Sequence, residues 1–153
     1  MSVVLELRIK DAIEECDKHL LRIHESFARI SNKFPLDIDV YKNFSSEDVM
    51  AIDQFLYRYT KLQDKIGSSL IKNICIYLDG DNDLRTFIDN LHVLEKYDIL
   101  TSVAEWEELR EIRNSLTHEY TNRVEQQVEM LNSLIQYKVV LISIFTKMKK
   151  IVQ

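Results

Sequence analysis

The 153-residue chain contains two glycines and one proline. Those two residue types supply most of the special backbone angles of tight turns, so almost no material for β-hairpins is present, and sandwiches and barrels are excluded. Cysteine is scarce too. Cys16 and Cys75 stand alone, without the spacing of a metal site or a redox motif. His19, His24 and His92 are scattered along polar faces without ligand spacing, so neither a metal nor a cofactor is expected. No long apolar run occurs: "VVLISIF", Val139 to Phe145, is far too short to span a bilayer. The opening "MSVVLELRIKDAIEE" turns acidic too early for a secretory signal. The expectation is a reducing cytoplasm and no membrane. Excess positive charge is also missing. The net charge of -5 gives no global attraction to polyphosphate, so any nucleic-acid contact must come from a local basic cluster or an interface groove.

What fills the chain instead is helix-forming sequence, with Leu, Ile, Glu, Lys and Asp dominating the long stretches between breakers. Its length fits one domain over residues 1–153, and an apolar fraction of 46% is ordinary for a globule with its own core. Ile9, Ile13, Cys16, Leu20, Ile23, Phe27 and Ile30 alternate spacings of four and three, which predicts a first helix packed along its neighbours. It should end near Asn32, because Pro35 forbids continuation and biases Phe34 away from helical angles. The segment from there to Phe44 reads as the longest loop. Ser45 or Ser46 then caps a second helix running through Ile52, Leu56, Tyr59, Ile66, Leu70 and Tyr77 to the turn signal "DGDND". Gln63 and Asn73 lie on its inner stripe, as inter-helix hydrogen-bond partners. A shorter piece, "LRTFIDNLHVLEKY", leads through "DILTS" into a third long helix, and "NRVE" at Asn122 to Glu125 predicts a capping box for the last one. The sum is an all-α, up-and-down antiparallel bundle of four long helices plus a short one.

One residue breaks the pattern. In "LREIRNSLTHEY", Trp106, Leu109, Leu116 and Tyr120 form one apolar stripe, and Arg113 sits in its middle, where leucine would pack at lower cost. Its i-4 neighbour is Leu109, so no glutamate on the same helix can pair with it there. A partner must come from elsewhere, and Asp64 on the second helix is one candidate. His118 follows five positions later, a rotation of roughly 140° on a continuous helix. The two side chains share a site only if the helix ends or bends between them, or if a second chain completes it. An imidazole can take a proton from a ribose 2′-hydroxyl or give one to a leaving 5′-oxygen, while a guanidinium can hold the charge of a phosphoryl transition state. One histidine cannot readily serve both ends of the bond. A two-fold dimer placing two Arg-His pairs in one cleft would supply both.

The stretch "RNSLTHEY" matches an Arg-x4-His-x-Tyr motif, and the chain thereby resembles the HEPN superfamily, particularly the small helical toxins encoded beside minimal nucleotidyltransferase antitoxins. "YRYTKLQDKIGSSL" in the second helix is similar to a stretch in relatives of that group. At this composition, Arg-x4-His arises by chance in about one chain in five, and adding the tyrosine cuts that to roughly one in a hundred. The resemblance implies a HEPN-like bundle over the whole chain and a metal-independent ribonuclease toxin acting on RNA. Arg113 and His118 would be its catalytic pair at a homodimer interface, supported by Asn114. Tyr120 would be the hydroxyl that a cognate minimal nucleotidyltransferase antitoxin adenylylates. Glu119 departs from what an RNA site favours, since its carboxylate adds repulsion toward phosphate while stabilising a protonated His118.

Plainer alternatives stand beside each role. His118 can be a helix-end residue matched to the dipole, Arg113 one half of a partly buried ion pair with Asp64, and Tyr120 a core residue. Lys61, Gln63 and Asp64 can border the groove. The competing function is a non-catalytic HEPN-like partner or substrate-binding subunit of a nucleotidyltransferase, with the motif as a binding surface.

Overall fold

The computed structural model describes residues 2–117 and 123–153, and 84% of it is helix, with no strand among the described residues. Helix α1 spans Val3–Ile30; the Ser2 side chain caps it by accepting the Leu5 N–H at 3.0 Å. Its inner stripe, Ile9, Cys16, Ile23 and Ile30, is buried as the spacing predicted. The helix tightens into a 3-10 turn over Ser31–Lys33, and Phe34 then adopts extended angles ahead of Pro35.

The stretch expected to be an open loop holds a short helix, α2, Ile38–Lys42. The carboxylate of Asp37 caps it at the Val40 N–H, and the Tyr41 hydroxyl donates to Gln127 Oε1 at 2.6 Å. Asn132 pins the preceding segment by accepting the Leu36 N–H at 2.7 Å and donating to the Leu36 carbonyl at 2.9 Å. Helix α3, Ser46–Lys65, begins with a reciprocal box between Ser45 and Asp48. Hydrogen bonds from the Ser45 backbone and hydroxyl hold the Asp48 carboxyl below its usual range, helped by Lys33. A π-helical turn over Ile66–Leu70 carries α3 into α4, Ile71–Asp79, so the expected second helix is one rod with an inserted bulge. Helix α5, Phe87–Lys96, starts at a Thr86–Asp89 box and is followed by Asp98 with φ 59°, a left-handed angle that Asp tolerates better than most side chains.

Helix α6 spans Val103–Thr117, and the Glu95 carboxylate accepts its Val103 N–H at 2.9 Å. Helix α7 spans Val124–Val152. Its N-cap is Arg123, which makes no side-chain cap bond, so the box expected at Asn122–Glu125 does not start the helix as described; Asn122 itself lies outside the described residues. Arg123 has no side-chain oxygen to offer the spare N–H groups of that first turn.

Cross-helix pairs give the topology. Arg29 and Lys33 meet Asp48, His19 meets Arg58, and Glu15 meets Lys65, so α3 runs antiparallel to α1. Lys138 sits over the Phe27 ring and Lys149 pairs with Asp17, which sets α7 antiparallel to α1 as well. Trp106 faces Gly67 and Leu109 faces Gln63, so α6 opposes α3. The order is up, down, up, down. Phe55, Tyr59, Leu62, Leu91, Leu109, Leu134 and Phe145 lie fully buried at the centre, and Ile30, Leu36, Ile52 and Leu131 form a second apolar group near α2. The seven residues Val139 to Phe145 belong to α7, the one described helix long and apolar enough to cross a membrane by length and composition; Leu134, Leu141, Ile144, Phe145 and Met148 on it pack into the bundle.

Gly67 sits in the π turn, and a β-carbon there would lie 3.2 Å from Cζ2 of Trp106, whose ring is 4% exposed and has nowhere to move. Gly67→Val should therefore destabilise the fold by about 2 kcal/mol through overpacking, read as a lower urea midpoint with unchanged slope. A neutral or stabilising result would mean that the α3–α6 seam is loose.

Candidate functional site

Trp106 and Leu109 bury the first turns of α6 against α3, which brings Arg113 to the edge of the same seam, its side chain 24% exposed. There Arg113 Nε donates to Asp64 Oδ1 at 2.9 Å and Nη2 to Asp64 Oδ2 at 3.0 Å. The two groups meet in a fork, the strongest geometry available to a guanidinium and a carboxylate. This bond raises the Arg113 pKa further above its ordinary value. The arginine in an apolar stripe thus has the partner that the sequence offered as its alternative, from the antiparallel helix rather than its own.

The neighbouring residue fixes the register. Gln63, 3% exposed, donates Nε2 to the carbonyl of Leu109 at 2.7 Å, one turn before Arg113. Consecutive side chains of α3 therefore hold α6, one by its backbone and one by its guanidinium. Asn73 behaves differently from expectation: its amide donates within its own helix to Ser69 Oγ at 3.3 Å and bridges no pair of helices.

Chemically, the fork uses two of the five guanidinium donors and leaves three, on Nη1 and the far side of Nη2, for an anion. Beside it runs a groove of about 850 Å³ between α3, α6 and α7, with Lys61 on one wall and Ser115 and Leu116 on the other. Asn114 lies on the exposed side of α6. His118, Glu119 and Tyr120 fall outside the described residues, so the expected convergence of Arg113, His118 and Tyr120 rests on sequence alone. A second groove of about 840 Å³ carries Asp37, Asp39, Glu125 and Glu129, a surface that repels polyanions.

Among the described residues no group of His, Cys, Asp and Glu is placed to hold a metal ion. His19 is not on a polar face, however. Its side chain is 12% exposed between α1 and α3, with Nδ1 3.0 Å from Arg58 Nη1 and Nε2 3.8 Å from Glu15. A guanidinium can only donate, so Nδ1 accepts and the ring is neutral with its proton on Nε2. Burial, then the Arg58 charge, push its pKa below the ordinary value.

The fold and this seam define an all-α antiparallel helical bundle with a fork-paired arginine at the edge of the α3–α6 seam. Comparison with protein-family models, curated proteins and solved structures finds no match to this chain.

Because Asp64 is 48% exposed, solvent screens the fork. A double-mutant cycle with Arg113→Ala and Asp64→Ala should give a coupling of no more than about 1 kcal/mol, and Arg113→Ala alone should leave the protein folded. Unfolding of Arg113→Ala would assign the arginine to the scaffold instead.

Proposed function

We propose that this chain is a HEPN-type ribonuclease toxin that cleaves RNA without metal, acting in the cytoplasm as a homodimer with a nucleotidyltransferase antitoxin. The observation that carries the reading is Arg113 at the edge of the α3–α6 seam, held by Asp64 with donors to spare, in a helical bundle whose sequence continues into His118 and Tyr120. A guanidinium locked in position before substrate arrives costs little reorganisation when charge develops on a phosphoryl group.

In the proposed reaction, His118 takes the proton of a ribose 2′-hydroxyl and the 2′-oxygen attacks phosphorus. The bond to the 5′-oxygen breaks, and that oxygen receives a proton from His118 of the second copy. Arg113 holds the equatorial oxygens, and Asn114 supports it. Cleavage leaves a 2′,3′-cyclic phosphate and a 5′-hydroxyl. Two copies in one cleft supply both base and acid, and they also gather positive charge that a chain of net charge -5 otherwise lacks. Tyr120, two residues from His118, is the proposed acceptor of AMP; the added phosphate would meet RNA with like charge and block the cleft.

The Asp64 fork also favours a second reading, in which Arg113 organises a binding surface on a non-catalytic partner of a nucleotidyltransferase. The two readings separate cleanly. Purified dimer should cut RNA in excess chelator and leave cyclic phosphate ends, and His118→Ala or Arg113→Ala should lower the rate at least about a hundred-fold. Absence of chelator-resistant cleavage in wild type, or cleavage that survives His118→Ala, removes the catalytic reading; a monomer at micromolar concentration in sedimentation removes the shared cleft.

Tyr120 has its own test. Incubation with the nucleotidyltransferase and ATP should add about 329 Da per AMP group to the intact mass, and Tyr120→Phe should abolish the addition. An adduct that persists in Tyr120→Phe would exclude this residue as acceptor.

A further inference from the structure

Two turns of α3 before Asp64, Tyr57 stands 48% exposed although Tyr59, two residues on, is completely buried. Its ring is flanked by two cations: the Arg58 guanidinium and the Lys61 ammonium each lie 5.5 Å from the ring centroid. The Arg58 charge is fixed in turn, since its Nη1 donates to His19 Nδ1 across the α1–α3 seam. Tyr57 and Lys61 both line the groove beside α6, together with Thr60, Ser115 and Leu116. In an acidic chain, an exposed aromatic with two cations beside it is a local cluster of positive charge, set on a groove wall that also carries Asp53 and Glu129. It has the composition that binds single strands: a π-face for a base and cations for the flanking phosphates.

We infer that the Tyr57–Lys61 face of α3 is a docking subsite for single-stranded RNA, with an unpaired base stacked on Tyr57 and an adjoining phosphate on Lys61. The inference rests on the ribonuclease reading for its direction along the groove. From Tyr57 to Asp64 the helix rises about 10 Å, one to two nucleotide steps, so a base on Tyr57 places a phosphate near the spare donors of Arg113. Asp53 and Glu129 line the same groove, and their charges oppose a longer run of phosphates. The subsite therefore takes a short unpaired segment and disfavours a duplex, whose bases present no open face.

The test separates binding from cleavage. A fluorescein-labelled eight-nucleotide 2′-O-methyl RNA has no 2′-hydroxyl to attack, so its anisotropy reports docking alone on the full-length protein. Tyr57→Ala should weaken binding about ten-fold while circular dichroism stays unchanged, and Tyr57→Phe should bind as wild type, because stacking needs the ring and not the hydroxyl. Lys61→Ala should lower the slope of log K against log salt by about 1, and a duplex of the same length should compete poorly. With cleavable RNA, Tyr57→Ala should raise KM and leave kcat within about two-fold. Wild-type affinity in Tyr57→Ala, or no binding by wild type, overturns the subsite even if chelator-resistant cleavage is found. Tyr57-dependent binding without cleavage keeps the subsite and overturns the ribonuclease reading alone.

Discussion

Everything proposed for this chain depends on how closely α6 can approach α3, and that approach is set at Gly67. With only hydrogen where other residues carry a β-carbon, the π turn lets the benzo edge of the Trp106 ring approach the backbone of the second rod. Register follows from that contact. Once Trp106 is seated at Gly67, Leu109 falls opposite Gln63 and Arg113 opposite Asp64, and each pair makes its hydrogen bonds without stretching. A bulge is needed as well as a glycine, because a π turn shifts every later residue around the helix and lets α4 keep Ile71, Ile74 and Cys75 inward after α3 has spent Asp64 on the edge.

The same seam explains how an arginine persists in an apolar stripe. A guanidinium without a counter-ion at the edge of a core would lose hydration with no return, whereas the fork to Asp64 satisfies two donors and leaves three for other partners. The cost is electrostatic. Asp64 neutralises part of the charge that would attract phosphate, so a single Arg113 makes a weak anion site. For the proposed RNA site, further positive charge would have to come from Lys61, Arg58 and a second copy of the chain, which links the proposed dimer to the Tyr57 face.

Sequence periodicity revealed the long helices, since a seam such as Ile9 to Ile30 repeats at the spacing of a helix packed along its neighbours, while their antiparallel order is shown by cross-helix pairs such as Arg29–Asp48 and Lys149–Asp17. It could not reveal α2. That helix has five residues and no apolar repeat, and it exists because Asp37 caps it and Asn132 grips Leu36 from nearly a hundred positions away. The π turn was equally hidden, because inserting one residue into a helix leaves the apolar pattern almost continuous. The Asp64 partner was legible as a possibility, since an acidic residue lay on the neighbouring helix, but its fork geometry was not. Nor was the environment of His19, whose burial comes from Arg58 on another helix rather than from its own surroundings.

The placement of the motif is itself an argument about design. Catalytic groups on a helix interior are held well but covered, while groups on a free loop are open but poorly oriented. Arg113 stands between those extremes, in the last turn of α6 before Thr117, its guanidinium held by Asp64 and its side chain 24% exposed. The proposed base, His118, is the next residue in the sequence after that turn. In the proposed dimer, a second copy of the chain would supply the second histidine of the cleft. Glu129 lines both grooves, so acidic charge alone does not separate them; under the proposed function the α3–α6 edge would be distinguished by Lys61 and the spare donors of Arg113, where the other groove carries Asp37, Asp39 and Glu125.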